Sequence, residues 1–243
     1  MVTNADIEEK RNILLSMAPF SEGLKELKRK LDLLDFAFSD LKLAGSILTR
    51  DGVTRILDGI MIPDVPVDAH RLVEAHRKLK SRFDDKAEMQ LDADGILLNE
   101  FCMILAGTEL LPYRNDAPLL YHLDFVPGDP DSISKDLAEV FRGIRRTDFG
   151  GDGCLRAAAL HLGIVRVYPF EGGYSEMAAR VSLQYELLRS GYFPVDLGVG
   201  EQEYNRVTAE GVKTGDPSEF AEIIRVAVLK KIHHLIDAAN RGV

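Results

Sequence analysis

The sequence predicts a mainly α-helical fold with a short β-hairpin and an N-terminal helical extension. Apolar residues recur at three- and four-residue steps along most of the chain, the period of helices with one buried face. Only residues 107–130 lack that period. Prolines and glycine clusters interrupt the helical runs at the points where turns are needed.

Residues 1 to about 20 are polar, then mixed, and predict a short helix or a loose arm. From Ser21 to about Leu41, the spacing of Leu24, Leu27, Leu31, Leu34 and Phe38 predicts a helix with one apolar face, started by Ser21. Thr49 to Leu57 reads as a short helix with a threonine or aspartate N-cap. After Pro63 and Pro66, a helix from Asp68 to Phe83 sets Leu72, Ala75, His76 and Leu79 on one face. Gly95 to Leu105 reads as a further apolar helix.

Leu119 to Val126 alternates enough to predict a hairpin, closed by Pro127-Gly128-Asp129-Pro130. Ser132 or Ser134 starts a helix to about Arg146, and the Gly150-Gly151-Asp152-Gly153 turn leads into the next one. That helix breaks at Tyr168-Pro169-Phe170, two glycines follow, and a new helix begins near Ser175. A loop opening onto a helix N-terminus presents unpaired backbone N–H groups, which favour an anion.

With 243 residues and 46% hydrophobic residues, the chain is long enough for a sizeable core. No stretch approaches a membrane span of about 18 apolar residues. The N-terminal MVTNADIEEKRN has no secretory or transit character, and Cys102 and Cys154 have no metal-like spacing. The expectation is a cytoplasmic protein with no metal site. The net charge of −9 argues against nucleic acid and anionic membrane as partners. Homo-oligomerisation is left open.

Residues Tyr168 to Arg180 read YPFEGGYSEMAAR. This stretch resembles the Fic/Doc signature, H-P-F-x-(D/E)-G-N-G-(R/K)-x-x-R. The flanks carry the resemblance further. His161 sits where the family often has a helix histidine, and Leu187 to Pro194 is similar to its LLxxGYPP ending. Tyr204 and the segment Gly215 to Phe220 resemble its Y…GDxxPLxxF tail, and Tyr113-Arg114 its GxYR element. The resemblance implies a Fic-like helical domain over residues 38–243, with a flap at about 113–130 and the motif loop at 168–180. Residues 1–37 form the extension.

In that family the motif histidine takes a proton from a target hydroxyl as it attacks ATP, and AMP is transferred. Here Tyr168 fills its place, and an ordinary phenol, with a pKa near 10, is about one part in a thousand ionised at pH 7. Gly172 aligns with the acidic Mg²⁺ ligand, and Glu171 stands one residue away. Gly173 matches the first glycine of the anion loop, while Tyr174 and Ser175 replace the Asn-Gly that wraps phosphates. Glu176 replaces a phosphate-gripping basic residue, and a carboxylate at that distance is repulsive by about 1 to 4 kcal/mol. Arg180 lies one residue past the second arginine position, filled by Ala179. ATP with Mg²⁺ is therefore expected only if this loop is re-threaded, and the cofactor is otherwise unknown.

The family's inhibitory helix carries (S/T)-x-x-x-E-(G/N), whose glutamate pairs with the second motif arginine. Phe38 to Thr49 is similar to it, with Ala44 at the glutamate position, so lock and arginine are expected to be lost together. His161 is expected to be packed rather than catalytic. His122 and Asp124 on the flap are candidates for a substitute base.

Three functions follow from these residues, the last of them residual AMP transfer to a protein hydroxyl in a shifted register, with Glu171 for Mg²⁺ and Arg180 for phosphate. One is a degenerate Fic-like pseudoenzyme that binds a protein target or partner. The alternative is a retuned transferase, moving a nucleotide, phosphocholine or sugar group onto a hydroxyl. In the latter, Tyr168, Glu171, Gly172, Gly173, Tyr174, Ser175, Glu176 and Arg180 line the donor site.

Overall fold

The computed structural model describes residues 2–242. Among them the chain forms ten α-helices: α1 (Asn4–Ser16), α2 (Glu22–Leu43), α3 (Arg50–Leu57), α4 (Val67–Glu88), α5 (Gly95–Ala106), α6 (Ile133–Arg146), α7 (Gly153–Val167), α8 (Tyr174–Arg189), α9 (Glu201–Thr214) and α10 (Ser218–Asn240). The mainly α class stands. Local capping chemistry sets half of the ten starts: Thr3, Ser21, Thr49, Asp94 and Asp152 each accept a first-turn backbone N–H. No described helix is long and apolar enough to cross a membrane.

The helices α7 and α8 pack against each other along the middle of the molecule, with α4, α5, α6, α9 and α10 around them. Every residue of α8 from Ser175 to Leu187 is buried except Glu176. A helix buried on all sides must find partners for its polar side chains. Gln184 pairs with both backbone groups of Val195, at 2.8 and 2.7 Å. Glu186, fully inaccessible, meets Arg156 at 2.7 Å and Arg189 at 3.0 Å. Close approach to α7 relies on small residues: a side chain at Gly211 of α9 would lie 2.5 Å from Leu162, and one at Gly163 2.7 Å from Val140 of α6.

An aromatic cluster of Phe36, Phe83, Phe101 and Tyr185 ties α2, α4, α5 and α8, with ring centroids 4.7 to 5.3 Å apart. A smaller core of Ala37, Leu41, Val53, Ile56 and Val73 joins α2, α3 and α4. Helix α1 lies on α10, and the Tyr192 hydroxyl donates to Glu8 at 2.7 Å. Helix α2 runs unbroken through residues 37 and 38.

Two expectations change. The predicted hairpin is a tight turn: Leu120 and Phe125 form a single antiparallel bridge, and residues 121–124 turn between them. Leu120 and Leu123 are the buried pair, a three-residue step, whereas Tyr121 and His122 are exposed. The alternation that suggested strands is that of a turn folded onto the core. In α2 the buried side carries Phe36, Ala37, Asp40 and Leu41, with Asp32 and Asp35, while Leu27, Leu31, Leu34 and Phe38 are only half-buried. Charged residues point inward there because cations from other helices meet them.

Candidate functional site

Helix α7 ends at Tyr168, which adopts the left-handed conformation (φ 50°) and turns the chain into Pro169. Positive φ is unusual for a tyrosine, so the surroundings must impose it. Arg114, almost wholly buried, supplies the constraint. Its guanidinium donates to the carbonyls of Tyr168 (2.6 Å), Gly128 (2.7 Å), Val167 (3.3 Å) and Asp116. Its own N–H donates to Pro169 O at 2.9 Å. One side chain thus clamps both ends of the flap to the start of the motif loop. The sequence named Arg114 only as part of a resemblance, since four carbonyl partners leave no local pattern.

Ser175 closes the loop from inside. Its hydroxyl accepts the Phe170 N–H at 2.6 Å and donates to Phe170 O at 2.7 Å, and the residue is fully buried. Between these anchors Glu171, Gly172 and Gly173 are exposed, with both glycines at positive φ (61° and 82°). Gly173 is the N-cap of α8 and offers no side chain to its first-turn donors.

Glu176 sits in that first turn, and the His122 ring N–H donates to its carboxylate at 2.6 Å. The flap is therefore drawn onto the helix start by a carboxylate where an anion clamp would need a cation. Tyr168 lies beside them, only 6% exposed. Burial, reinforced by the Glu176 carboxylate, pushes its phenol up to about 12. Asp124 faces elsewhere: it is exposed and pairs with Lys213 of α9 at 2.8 Å.

Arg180, two turns into α8, is buried and donates to Asp40 of α2 at 2.5 Å. The other Asp40 oxygen meets His76 Nε2 at 3.0 Å, while His76 Nδ1 faces Leu72 O at 2.8 Å. Both ring nitrogens of His76 thus face oxygen atoms, one on α2 and one on its own helix. Ala44 only caps the end of α2. The residue one turn earlier makes the carboxylate–arginine pair that the sequence had expected to be absent. Arg180 is held, and its partner is Asp40.

Burial raises the Asp40 carboxyl, but Arg180 and the His76 hydrogen bond outweigh it and hold the group at about 2, against an ordinary 3.8. A depressed carboxyl contributes stability that is complete above about 3.8 and is lost as pH falls through about 2. The difference corresponds to about 2 kcal/mol. Acid unfolding followed by circular dichroism should therefore show a step in this window that Asp40→Asn removes.

His161 is fully buried, stacked on Phe220 at 4.5 Å and hydrogen-bonded to the Tyr204 hydroxyl at 3.1 Å. Burial holds its ring down to about 3, so it is a neutral packing residue. Burial likewise pushes both cysteine thiols up. Among the described residues no cluster of histidine, cysteine, aspartate or glutamate is arranged to hold a metal. A groove of about 940 Å³ opens beside the loop, between α3–α4 and the end of α5, with Tyr174 and Met177 of α8 in its wall.

The fold resembles a Fic domain containing signaling protein from Bacteroides thetaiotaomicron, with a TM-score of 0.81 at 14% identity, covering 96% of this chain and 97% of that one. It is similar also to Fic-1 of C. elegans (TM-score 0.74, 19% identity, 96% of this chain and 70% of that one). A Fic family protein from Desulfovibrio desulfuricans matches with a TM-score of 0.73 at 15% identity, over 98% of this chain and 76% of that one. No protein-family model and no curated protein matches the sequence. The chain has the Fic-domain fold.

Proposed function

We propose that this protein is a Fic-fold pseudoenzyme that has kept the architecture and lost ATP-dependent AMP transfer. The observation that carries the reading is the fate of the three charges the transfer needs. The residue in the base position is a buried tyrosine whose phenol lies near 12, so at neutral pH it holds its proton. The residue at the head of α8 is a carboxylate, already bonded to the flap through His122. The arginine in the motif helix is buried against Asp40 instead of facing the loop. A triphosphate with Mg²⁺ would meet the Glu176 carboxylate at the head of α8, and Glu171 alone is a poor metal site. The residues present do not fit that ligand.

What remains is a rigid loop and a groove beside it, suited to holding a partner. In this reading the partner is a protein, and the flap with the groove wall of α4 forms the contact surface.

A second reading has one observation in its favour. The groove next to Tyr174 and Met177 is open and of ligand size. A donor less dependent on a phosphate clamp, such as nucleotide-linked choline or a nucleotide sugar, would fit a retuned transferase with His122 beside the loop.

Thermal unfolding against ATP, GTP, UTP, nucleotide-linked choline and nucleotide sugars, each with and without Mg²⁺, separates the two. A ligand at 100 times its dissociation constant adds about 2.7 kcal/mol. The pseudoenzyme reading predicts no shift with any of them. A shift with one non-ATP donor alone would replace it with the transferase.

A further inference from the structure

A second cavity, of about 370 Å³, lies between α2, α10 and the extended segment 195–198, and shares no lining residue with the motif loop or flap. Beneath it lies a charge network built on the buried Asp32, Asp35 and Lys231. The Lys231 ammonium meets Asp32 at 2.7 Å, Asp35 at 2.9 Å and the Pro194 carbonyl at 2.6 Å, so its three donors are all engaged. Lys28 also bonds Asp32, at 2.6 Å, and Arg50 bonds Asp35. Arg50 reaches Asp196 only at 3.4 Å. Within this network Lys28, Arg50 and Lys231 balance Asp32, Asp35 and Asp196.

The surplus lies at the mouth. Lys230 and His234, one turn apart on α10, both line the cavity. Among the described residues neither has a hydrogen-bond or ion-pair partner, although the chain carries a net charge of −9. Leu31, Val195 and Ala227 give the cavity an apolar wall. An acidic protein that leaves two basic side chains unpaired over a preformed, partly apolar cavity has the elements of an anion site.

We propose that this cavity binds a small metabolite with one anionic head group, carboxylate or phosphate, on a short apolar body. Lys230 and His234 hold the head group, and the stretched Arg50–Asp196 contact lets Arg50 turn one N–H towards it. The body lies against Leu31, Val195 and Ala227.

The test is calorimetric titration of the full chain with hexanoate, hexyl phosphate and, as a cationic control, hexylammonium. The expected result is saturable one-to-one binding of hexanoate or hexyl phosphate, whichever head group the site prefers, and none of hexylammonium. Lys230→Glu and His234→Ala, both at exposed positions, should each weaken that binding at least tenfold. Failure of both anions to saturate, equal binding of the cation, or unchanged affinity in both variants would overturn the proposal. None of these outcomes depends on whether the motif loop binds a nucleotide.

Discussion

Replacing Arg180 by alanine is expected to destabilise the protein by about 3 to 5 kcal/mol, because Asp40 would be left as a buried charge without its main partner. For a chain of this size that corresponds to a fall in Tm of roughly 6 to 20 °C. The His76 bond to Asp40 softens the loss but does not replace a short guanidinium contact. A paired substitution tests the cause. Asp40→Leu with Arg180→Leu removes both charges and should cost much less than the two single changes added together. Equal and additive costs would show that the pair is incidental to the packing of α2 on α8. The pair joins segments 140 residues apart in sequence, so its loss should also unlatch α2 from the motif helix.

The second large effect is expected at Lys231. Lys231→Met leaves Asp32 and Asp35 without their shared buried cation, at a cost of about 3 kcal/mol. Lys28 and Arg50 still face those carboxylates, which keeps the cost at the low end of the range for a broken buried pair. Urea unfolding should show a lowered midpoint with an unchanged slope. A change below about 0.5 kcal/mol would mean that water or the neighbouring cations already neutralise the aspartates.

These pairs mark where the sequence could be read and where it could not. The helices were legible because apolar period and capping residues are local: Ser21, Thr49 and the Gly150–Gly153 turn start helices where their chemistry says they should. The flap misled because a short alternating stretch does not distinguish a strand from a turn whose buried residues are three apart, as Leu120 and Leu123 are. The motif loop was located through its resemblance, but the direction of its side chains was not. Ser175 looked like a ligand-facing residue and is a buried staple on Phe170. Asp40 was not legible as a buried residue because an aspartate in an amphipathic pattern counts as surface. Its burial is decided by an arginine and a histidine on two other helices.

The same geometry explains why a weak motif can persist in a stable fold. Arg114 and Ser175 hold the loop through its backbone groups, so its conformation does not depend on the side chains exposed between them. Tyr168 then fills space, Glu176 bonds the flap, and Arg180 becomes part of the core.

The most direct test is incubation with α-labelled ATP and Mg²⁺, comparing the wild-type chain with Asp40→Ala, and scoring label retained on protein together with the intact mass. The pseudoenzyme account predicts no label and no AMP-sized mass gain in either, since releasing Arg180 leaves Tyr168 protonated and Glu176 in place. Label on either chain would contradict it, and label on Asp40→Ala alone would make Asp40 the restraint on an enzyme that still works.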